Sequence, residues 1–432
     1  MIRARRLSNG KQRFDVRLRT PTGRDASRSF TKRRDAERWQ RDQLAARDRG
    51  LWVDARLGKQ PLRAWYEEWW PTRSELRPST LARDEAYYRT HVLPAFGDVP
   101  LAALEYEAVT QWVSKLSAAG LAPATVRRCH LLLSKLLGGA VKARRIHRNP
   151  CVDTDNLPVI EQTEMRIITP AQLRSLSDSI YEVALQRLSR RPGATPGVDD
   201  ETSDVAERFA AFVTLAGYSG LRFGELAGLR KEKLDPARRL VRVDASIIEV
   251  RGQIIEGRPK TNAGIRSVPL PRQIIAEVDV ALRCRDEHDL AFTGAAGAAL
   301  RAGSFRSRFW KPATIAAGVS GLRMHDLRHT AVSLWIAHGA SPKQVQVWAG
   351  HRSVATVFDR YGHLFPGGED PIMDALDATA GSVGSGSSGE LEMARSRSVA
   401  RNRAPYLRHD AGVREGDNPD QGGEIPAISR ES

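Results

Sequence analysis

The segment LRMHDLRHT spans residues 322–330, and VWAGHRSVATVFDRYGHL spans residues 347–364. In the first, His325 and Arg328 are three apart and emerge on one helix face, with His329 one step round. In the second, His351 follows Gly350 at a turn into a helix, and Tyr361 lies further along that helix. Singly, such residues are commonly structural. Upstream, YSGLRFGELAGLR (218–230) sets Arg222 and Glu225 three apart at a helix start after a glycine turn. Alone, that pair reads as a surface ion pair worth a few tenths of a kcal/mol. GRPKTNAGIRSVPL (257–270) reads as a turn followed by a strand, with Lys260 at the tip. The overlapping GQIIEG is no nucleotide loop, because Arg258 and Pro259 follow Gly257 where Lys and Ser/Thr would be needed. No HExxH helix and no acidic triad at metal-ligand spacing accompanies these segments, so metal-assisted phosphate hydrolysis lacks its parts. What remains converges on phosphate chemistry without a metal or other cofactor.

Composition points the same way. The 432 residues carry 67 Lys+Arg against 51 Asp+Glu, a net charge of +16, and 41% hydrophobic residues. The chain is long enough for two or three domains, each with its own core. The first fifty residues are especially basic, which suits a polyanion whose condensed counterions are released on binding. A solvated arginine-rich surface is the alternative reading of charge alone. No run reaches the roughly 18 apolar residues of a spanning helix, so a cytoplasmic, nucleoid-associated protein is expected. Cys129, Cys151 and Cys284 are far apart and not in CxxC spacing, which leaves them as buried apolar fillers.

Along the chain, Phe14, Val16 and Leu18 alternate with Arg13, Arg17 and Arg19, predicting a half-exposed strand with arginines on one face. A turn at Pro21 to Gly23, a second strand at Arg28 to Phe30, an N-cap at Thr31 and a helix carrying Ala36 and Trp39 complete a small α+β module over 1–55. Residues 60–155 show helical periodicity and predict an all-α, four-helix domain. One helix opens at Ser79, and the run LPAFGDVP after Val92 is expected to break it. Another helix bears Arg127 and Arg128 on its outside. A mainly α, mixed α/β region follows over 165–366. It starts at Thr169-Pro170, has a strand set around Leu240 to Leu270, and contains an exposed loop between Leu188 and Asp204. The Gly-, Ser- and Arg-rich end, 378–432, is expected to be a disordered tail.

The order GLRxGEL, PKT with xxxRxVPL, HDLRHT, GH, then Y with GH after it resembles the tyrosine recombinase, or phage integrase, family. Over residues 10–366, the N-terminal module resembles that family's arm-type DNA-binding domain, and the helical segment its SAM-like core-binding domain. The resemblance implies a site-specific DNA recombinase that integrates or excises a mobile element. Tyr361 would be the nucleophile forming a 3′-phosphotyrosine. Arg222 and Arg328 would grip the phosphate, Lys260 would protonate the leaving 5′-oxygen, His325 would serve as base or proton shuttle, and His351 would hydrogen-bond the phosphate. Glu225 would support the site, Arg13, Arg17, Arg19, Arg127 and Arg128 would bind DNA, and His329 is left as a packing residue. Double-stranded DNA is the implied partner, engaged by a homotetramer with a directionality factor or a host DNA-bending protein, and the apolar set around Met373 and Leu376 is expected to dock on a neighbouring copy. A type IB topoisomerase-like enzyme is the alternative within the same chemistry. A DNA-binding regulator that lost activity is a rival from another class, but it would lack one of these groups.

Overall fold

The computed structural model describes residues 2–19, 23, 25–49, 52–54, 56–161, 164–190, 200–259, 262–294, 297–365 and 369–383. The chain divides into two units, Met1–Phe365 and Pro366–Ser432. Among the described residues no helix is long and apolar enough to cross a membrane.

The first unit opens with an antiparallel sheet ordered β1 (Ile2–Arg6), β2 (Gln12–Arg19), β3 (Asp25–Phe30). Ile2 pairs with Val16 and Phe14 with Phe30, so the apolar residues share one face. Helix α1 (Arg33–Asp48) covers that face with Ala36 buried, and Trp39 lies against Phe30 with ring centroids 5.7 Å apart. Strand β1 was not foreseen, because IRARR reads first as a basic start rather than as an alternation. Lys32, not Thr31, occupies the N-cap, and no side chain caps there.

The helical region comprises α2 (Leu62–Trp69), α3 (Pro78–Tyr87), α4 (Leu93–Phe96), α5 (Tyr106–Ala118) and α6 (Pro123–Lys142). Leu62, Val92, Val109, Val113, Val126, Leu133 and Leu137 are its fully buried centre. LPAFGDVP does not break the chain where expected. A π turn over Tyr88–Val92 joins α3 to α4, closed by the Leu93 N–H donating to the Tyr88 carbonyl. The next residue, Pro94, has no N–H to donate, so the lengthened turn leaves no donor stranded. The helix ends only at Gly97.

The larger region begins with α7 (Pro170–Leu188), which starts at the expected Thr169-Pro170 with a reciprocal cap: Thr169 Oγ1 accepts from the Gln172 N–H, and Gln172 Oε1 accepts from the Thr169 N–H. Helix α8 (Asp200–Ser219) follows. The predicted loop therefore ends earlier than Asp204, because Asp200 and Glu201 stabilise the positive N-terminal end of α8. Residues 191–199 of that loop lie outside the described residues. After α9 (Phe223–Ala227) come β4 (Leu234–Asp235), β5 (Leu240–Val243), β6 (Ser246–Val250), β7 (Gln253–Gly257) and β8 (Arg266–Pro269). Strands β4-β5-β8 form one antiparallel sheet and β6-β7 a separate hairpin. The segment from β7 to β8 thus leads from one sheet to the other, and the expected strand follows as β8. Lys260 itself lies outside the described residues.

Helices α10 (Arg272–Ala281), α11 (Ala302–Phe305) and α12 (Lys311–Ala316) pack on α8 and α7, and α13 (Asp326–Ala337), α14 (Pro342–Ala349) and α15 (Ala355–Tyr361) close the unit. The core centres on Phe209, Phe212, Phe292 and Phe305. A smaller cluster of Val332, Ile336, Val345, Ala349, Val357 and Tyr361 joins α13, α14 and α15. Cys129 and Cys151 are buried, whereas Cys284 is exposed, contrary to expectation. In the second unit, α16 (Glu369–Val383) carries Met373 and Leu376, both exposed. The helix runs past residue 378, so the first residues of the expected tail are helical. The rest of that tail lies outside the described residues.

Candidate active site

The site forms where the turn before α9, strand β8 and the helices α13, α14 and α15 meet. Gly220 ends α8 with φ +62, and a Cβ there would lie 3.1 Å from the Trp335 ring, so the close turn into Leu221 and Arg222 requires glycine. Arg222 is the N-cap of α9. Glu225 Oε2 accepts the Arg222 backbone N–H at 2.9 Å, and Oε1 accepts Arg222 Nη1 at 2.7 Å. The same carboxylate accepts from Arg266 Nη2 at 2.9 Å. Arg266 also donates to the Trp348 carbonyl at 2.6 Å and the Gly264 carbonyl at 3.1 Å, strapping β8 to the end of α14. The Arg222–Glu225 pair is therefore not the surface ion pair that its spacing alone suggests, since Glu225 is 4% exposed.

Arg328, on the first turn of α13, is buried. Its Nη1 donates to the Gly220 carbonyl at 2.8 Å and its Nη2 to the Ala349 carbonyl. These two bonds tie the turn before α9 to the end of α14. Gly350 terminates α14 in the left-handed region, φ +62, and a Cβ there would lie 2.8 Å from the Ala263 carbonyl oxygen. His351 follows, its N–H donating to the Gln346 carbonyl. Its ring is buried, and Nδ1 has no hydrogen-bond partner. A buried polar atom left unpaired calls for an explanation, and an anionic ligand accepting from that nitrogen supplies one.

Tyr361 is the last residue of α15 and is fully buried. Its hydroxyl lies 2.7 Å from His329 Nδ1. His325, at the N-cap of α13, is exposed, with its ring 5.3 Å from that of His329. The tyrosine's bonded histidine is thus His329, expected to be a packing residue, rather than His325. A signal was available: His325 and His329 are four apart, which puts both on one helix face as surely as a spacing of three. Arg266 was also overlooked as a site residue. It shares the buried face of β8 with Val268, and an inward arginine demands a buried acidic partner.

Charge is unbalanced here. Arg222, Arg266 and Arg328 gather around the single carboxylate of Glu225, with Arg360 close to Tyr361. Burial by itself would raise the Glu225 pKa, but the bonds and charges of Arg266 and Arg222 hold it at about 2. Burial, then Arg222 and Arg266, bring Arg328 down to about 9, still charged at neutral pH. Burial and the neighbouring arginines hold His351 at about 4, and burial with His325 and Arg360 holds His329 at about 4, so both rings are neutral. Burial raises the Tyr361 hydroxyl, against the charges of Arg328 and Arg360. Although His325 reaches solvent, partial desolvation and the charges of Arg328, Arg222 and Arg360 lower it. The result is a cationic, partly dry pocket that holds a tyrosine hydroxyl against a neutral histidine.

Of the other sequence candidates, Arg13, Arg17 and Arg19 lie exposed on one face of β2, beside Arg3 and Arg5 of β1. Arg127 and Arg128 are exposed on α6, Arg127 Nε donating to the Pro158 carbonyl at 2.7 Å. Among the described residues no cluster of three His, Cys, Asp or Glu side chains could hold a metal ion.

The chain is similar to several known proteins. Residues 199–367 match the phage integrase family, and residues 62–117 match the phage integrase N-terminal SAM-like domain. A putative prophage phiRv2 integrase of Mycobacterium tuberculosis is 26% identical over 388 residues, covering 88% of this chain and 95% of that one. The ICEBs1 integrase of Bacillus subtilis is 25% identical over 311 residues, covering 70% and 78%. The fold is similar to that of the Tn1549 transposon integrase in complex with a circular intermediate DNA, with a TM-score of 0.58 at 18% identity, covering 74% of this chain and 99% of that one. On its motifs, its fold and these matches, the chain belongs to the phage integrase family of tyrosine-type site-specific DNA recombinases.

Proposed function

We propose that the protein exchanges DNA strands by covalent catalysis at Tyr361, for integration or excision of a mobile element. The observation that carries this reading is the cluster of Arg222, Arg266 and Arg328 around one carboxylate beside a buried tyrosine hydroxyl. Like charges crowded together, with Arg266 and Arg328 buried, are costly unless an anion joins them. A phosphate about 4 Å from a guanidinium gains roughly 4 kcal/mol at an effective dielectric of about 20.

In this mechanism Arg222 and Arg328 bind the non-bridging oxygens of the scissile phosphate, and planar guanidinium groups suit that geometry. His351 Nε2 or Nδ1 donates a further bond. The Tyr361 oxygen attacks phosphorus, the bond to the 5′-oxygen breaks, and Lys260 protonates that leaving oxygen. The phosphodiester energy is kept in a 3′-phosphotyrosine, and attack by a 5′-hydroxyl reverses the step. His325, exposed at the rim, relays protons to solvent. Glu225 holds Arg222 and Arg266 in place and does not touch the phosphate.

The division of labour proposed along the chain is arm-type DNA binding by 1–55, core-site binding by a SAM-like four-helix domain over 60–155, and catalysis by 165–366. The arginine face of β1 and β2 supports the first assignment. Four copies acting on two duplexes would complete the exchange, with a directionality factor or DNA-bending protein setting its direction in the cytoplasm. The test is a strand-exchange assay on paired duplexes tiled across the DNA flanking the protein's own gene. Recombinant product from wild type and none from Tyr361→Phe supports the reading. Nicking and resealing without product on any pair would move the assignment to a topoisomerase-like enzyme.

A further inference from the structure

We propose that His329 is a catalytic residue, the base that takes the proton from the Tyr361 hydroxyl. This deepens the strand-exchange reading and rests on Tyr361 being the nucleophile. Three features of the geometry support it. The Nδ1 to hydroxyl distance, 2.7 Å, is within the range for direct proton transfer. His329 is 5% exposed on α13, and Tyr361 belongs to the core cluster that joins α13 to α15, so the contact is made inside packed structure. His325, the alternative base, sits in the open at the helix start and faces His329 edge-on at 5.3 Å.

The groups facing His329 are Asp326 from the start of α13, His325 and Arg323 from the turn before it, and Arg360 and Tyr361 from α15. Two of those neighbours are arginines, which together with burial keep the imidazole neutral, so its ring nitrogen can accept. The step balances without a co-reactant. The Tyr361 O–H bond breaks and its proton passes to Nδ1 of the Nε2–H tautomer. The phenolate electron pair forms the bond to phosphorus, and the pair of the breaking P–O bond leaves with the 5′-oxygen. On rejoining, the imidazolium returns its proton to the departing tyrosine. His325, one helical turn earlier and exposed, is placed to exchange that proton with solvent.

The test has two arms on the full chain. In the first, single-turnover cleavage of a nicked duplex is measured for His329→Gln and for the same variant carrying 2,3,5-trifluorotyrosine at position 361, with Tyr361→Phe as control. A lost base should slow cleavage about 100-fold, the low end for acid–base catalysis. The more acidic phenol, needing no base, should then restore at least tenfold. His329→Gln at the wild-type rate, or a slow folded variant that the fluorinated tyrosine does not rescue, overturns the proposal. Cleavage by Tyr361→Phe would instead overturn the nucleophile assignment. In the second arm, which needs no variant that could misfold, nitrogen-15 NMR of wild-type histidines reads the tautomer of His329. An unprotonated Nδ1 is expected at neutral pH, and a protonated Nδ1 overturns the proposal.

Discussion

Replacing Glu225 with Gln keeps the shape of the side chain and removes the one carboxylate among Arg222, Arg266 and Arg328. Glu225 is 4% exposed, so solvent does little to screen the change. Its folded pKa of about 2, against an ordinary 4.5, corresponds to about 3 kcal/mol of stabilisation of the folded state at neutral pH. Loss of one partner from a buried ion pair is independently expected to cost about 3 to 5 kcal/mol. Because the folded pKa is depressed, this stabilisation is fully present above the unfolded value near 4.5 and is lost as the pH falls toward 2. The stability difference between wild type and Glu225→Gln should therefore be constant from pH 7 to about 5.5, then narrow by about 1 kcal/mol by pH 3.5. Urea unfolding followed by the fluorescence of Trp335 and Trp348, which pack beside the site, measures it. A difference below about 0.5 kcal/mol at pH 7, the level of an ordinary surface substitution, would refute the inference that Glu225 balances the arginines. So would a difference that does not change with pH.

Gly350→Ala should destabilise the protein by about 1 to 3 kcal/mol, since alanine is strained at φ +62 and its Cβ would meet the Ala263 carbonyl at 2.8 Å; thermal unfolding checks this, with an unchanged midpoint as the contrary result. His351, its pKa held at about 4, makes the fold lose stability as the pH falls from the ordinary histidine value of 6.5 towards 4, because the unfolded ring takes up a proton and the folded ring does not. In a His351→Gln variant that loss should shrink, which urea titrations at pH 7 and pH 5 will show. Arg3→Ala and Arg5→Ala, on the exposed face of the first sheet, should each lower the slope of log affinity against log salt for duplex DNA by about 1, without altering cleavage of a bound core site.

Much of the site was legible in the sequence because its residues sit at helix starts and turns, where spacing and punctuation are strong signals. Arg222 after Gly220, and His351 after Gly350, follow glycines whose positive φ the turns require. What periodicity missed were contacts made across elements. Arg266 became part of the site only when β8 came to lie beside α9 and α14, and His329 only when α15 packed against α13. Local cues also misled where tertiary packing overrode them. Pro94 reads as a helix breaker, yet the preceding π turn carries the helix through it. Arg3 and Arg5 belong to a strand too short to show its alternation before its partner is known. Spacing alone makes all three cysteines buried fillers, but Cys284 falls just after α10 and is exposed.

The most direct test of covalent strand exchange is to trap the protein on a nicked duplex tiled from the DNA flanking its gene, digest the complex, and identify the linked peptide by mass spectrometry. The expected result is a nucleotide joined through its 3′-phosphate to Tyr361, with a free 5′-hydroxyl on the released strand and no adduct from Tyr361→Phe. A 5′-linked adduct, or a linkage to any other residue, would contradict it.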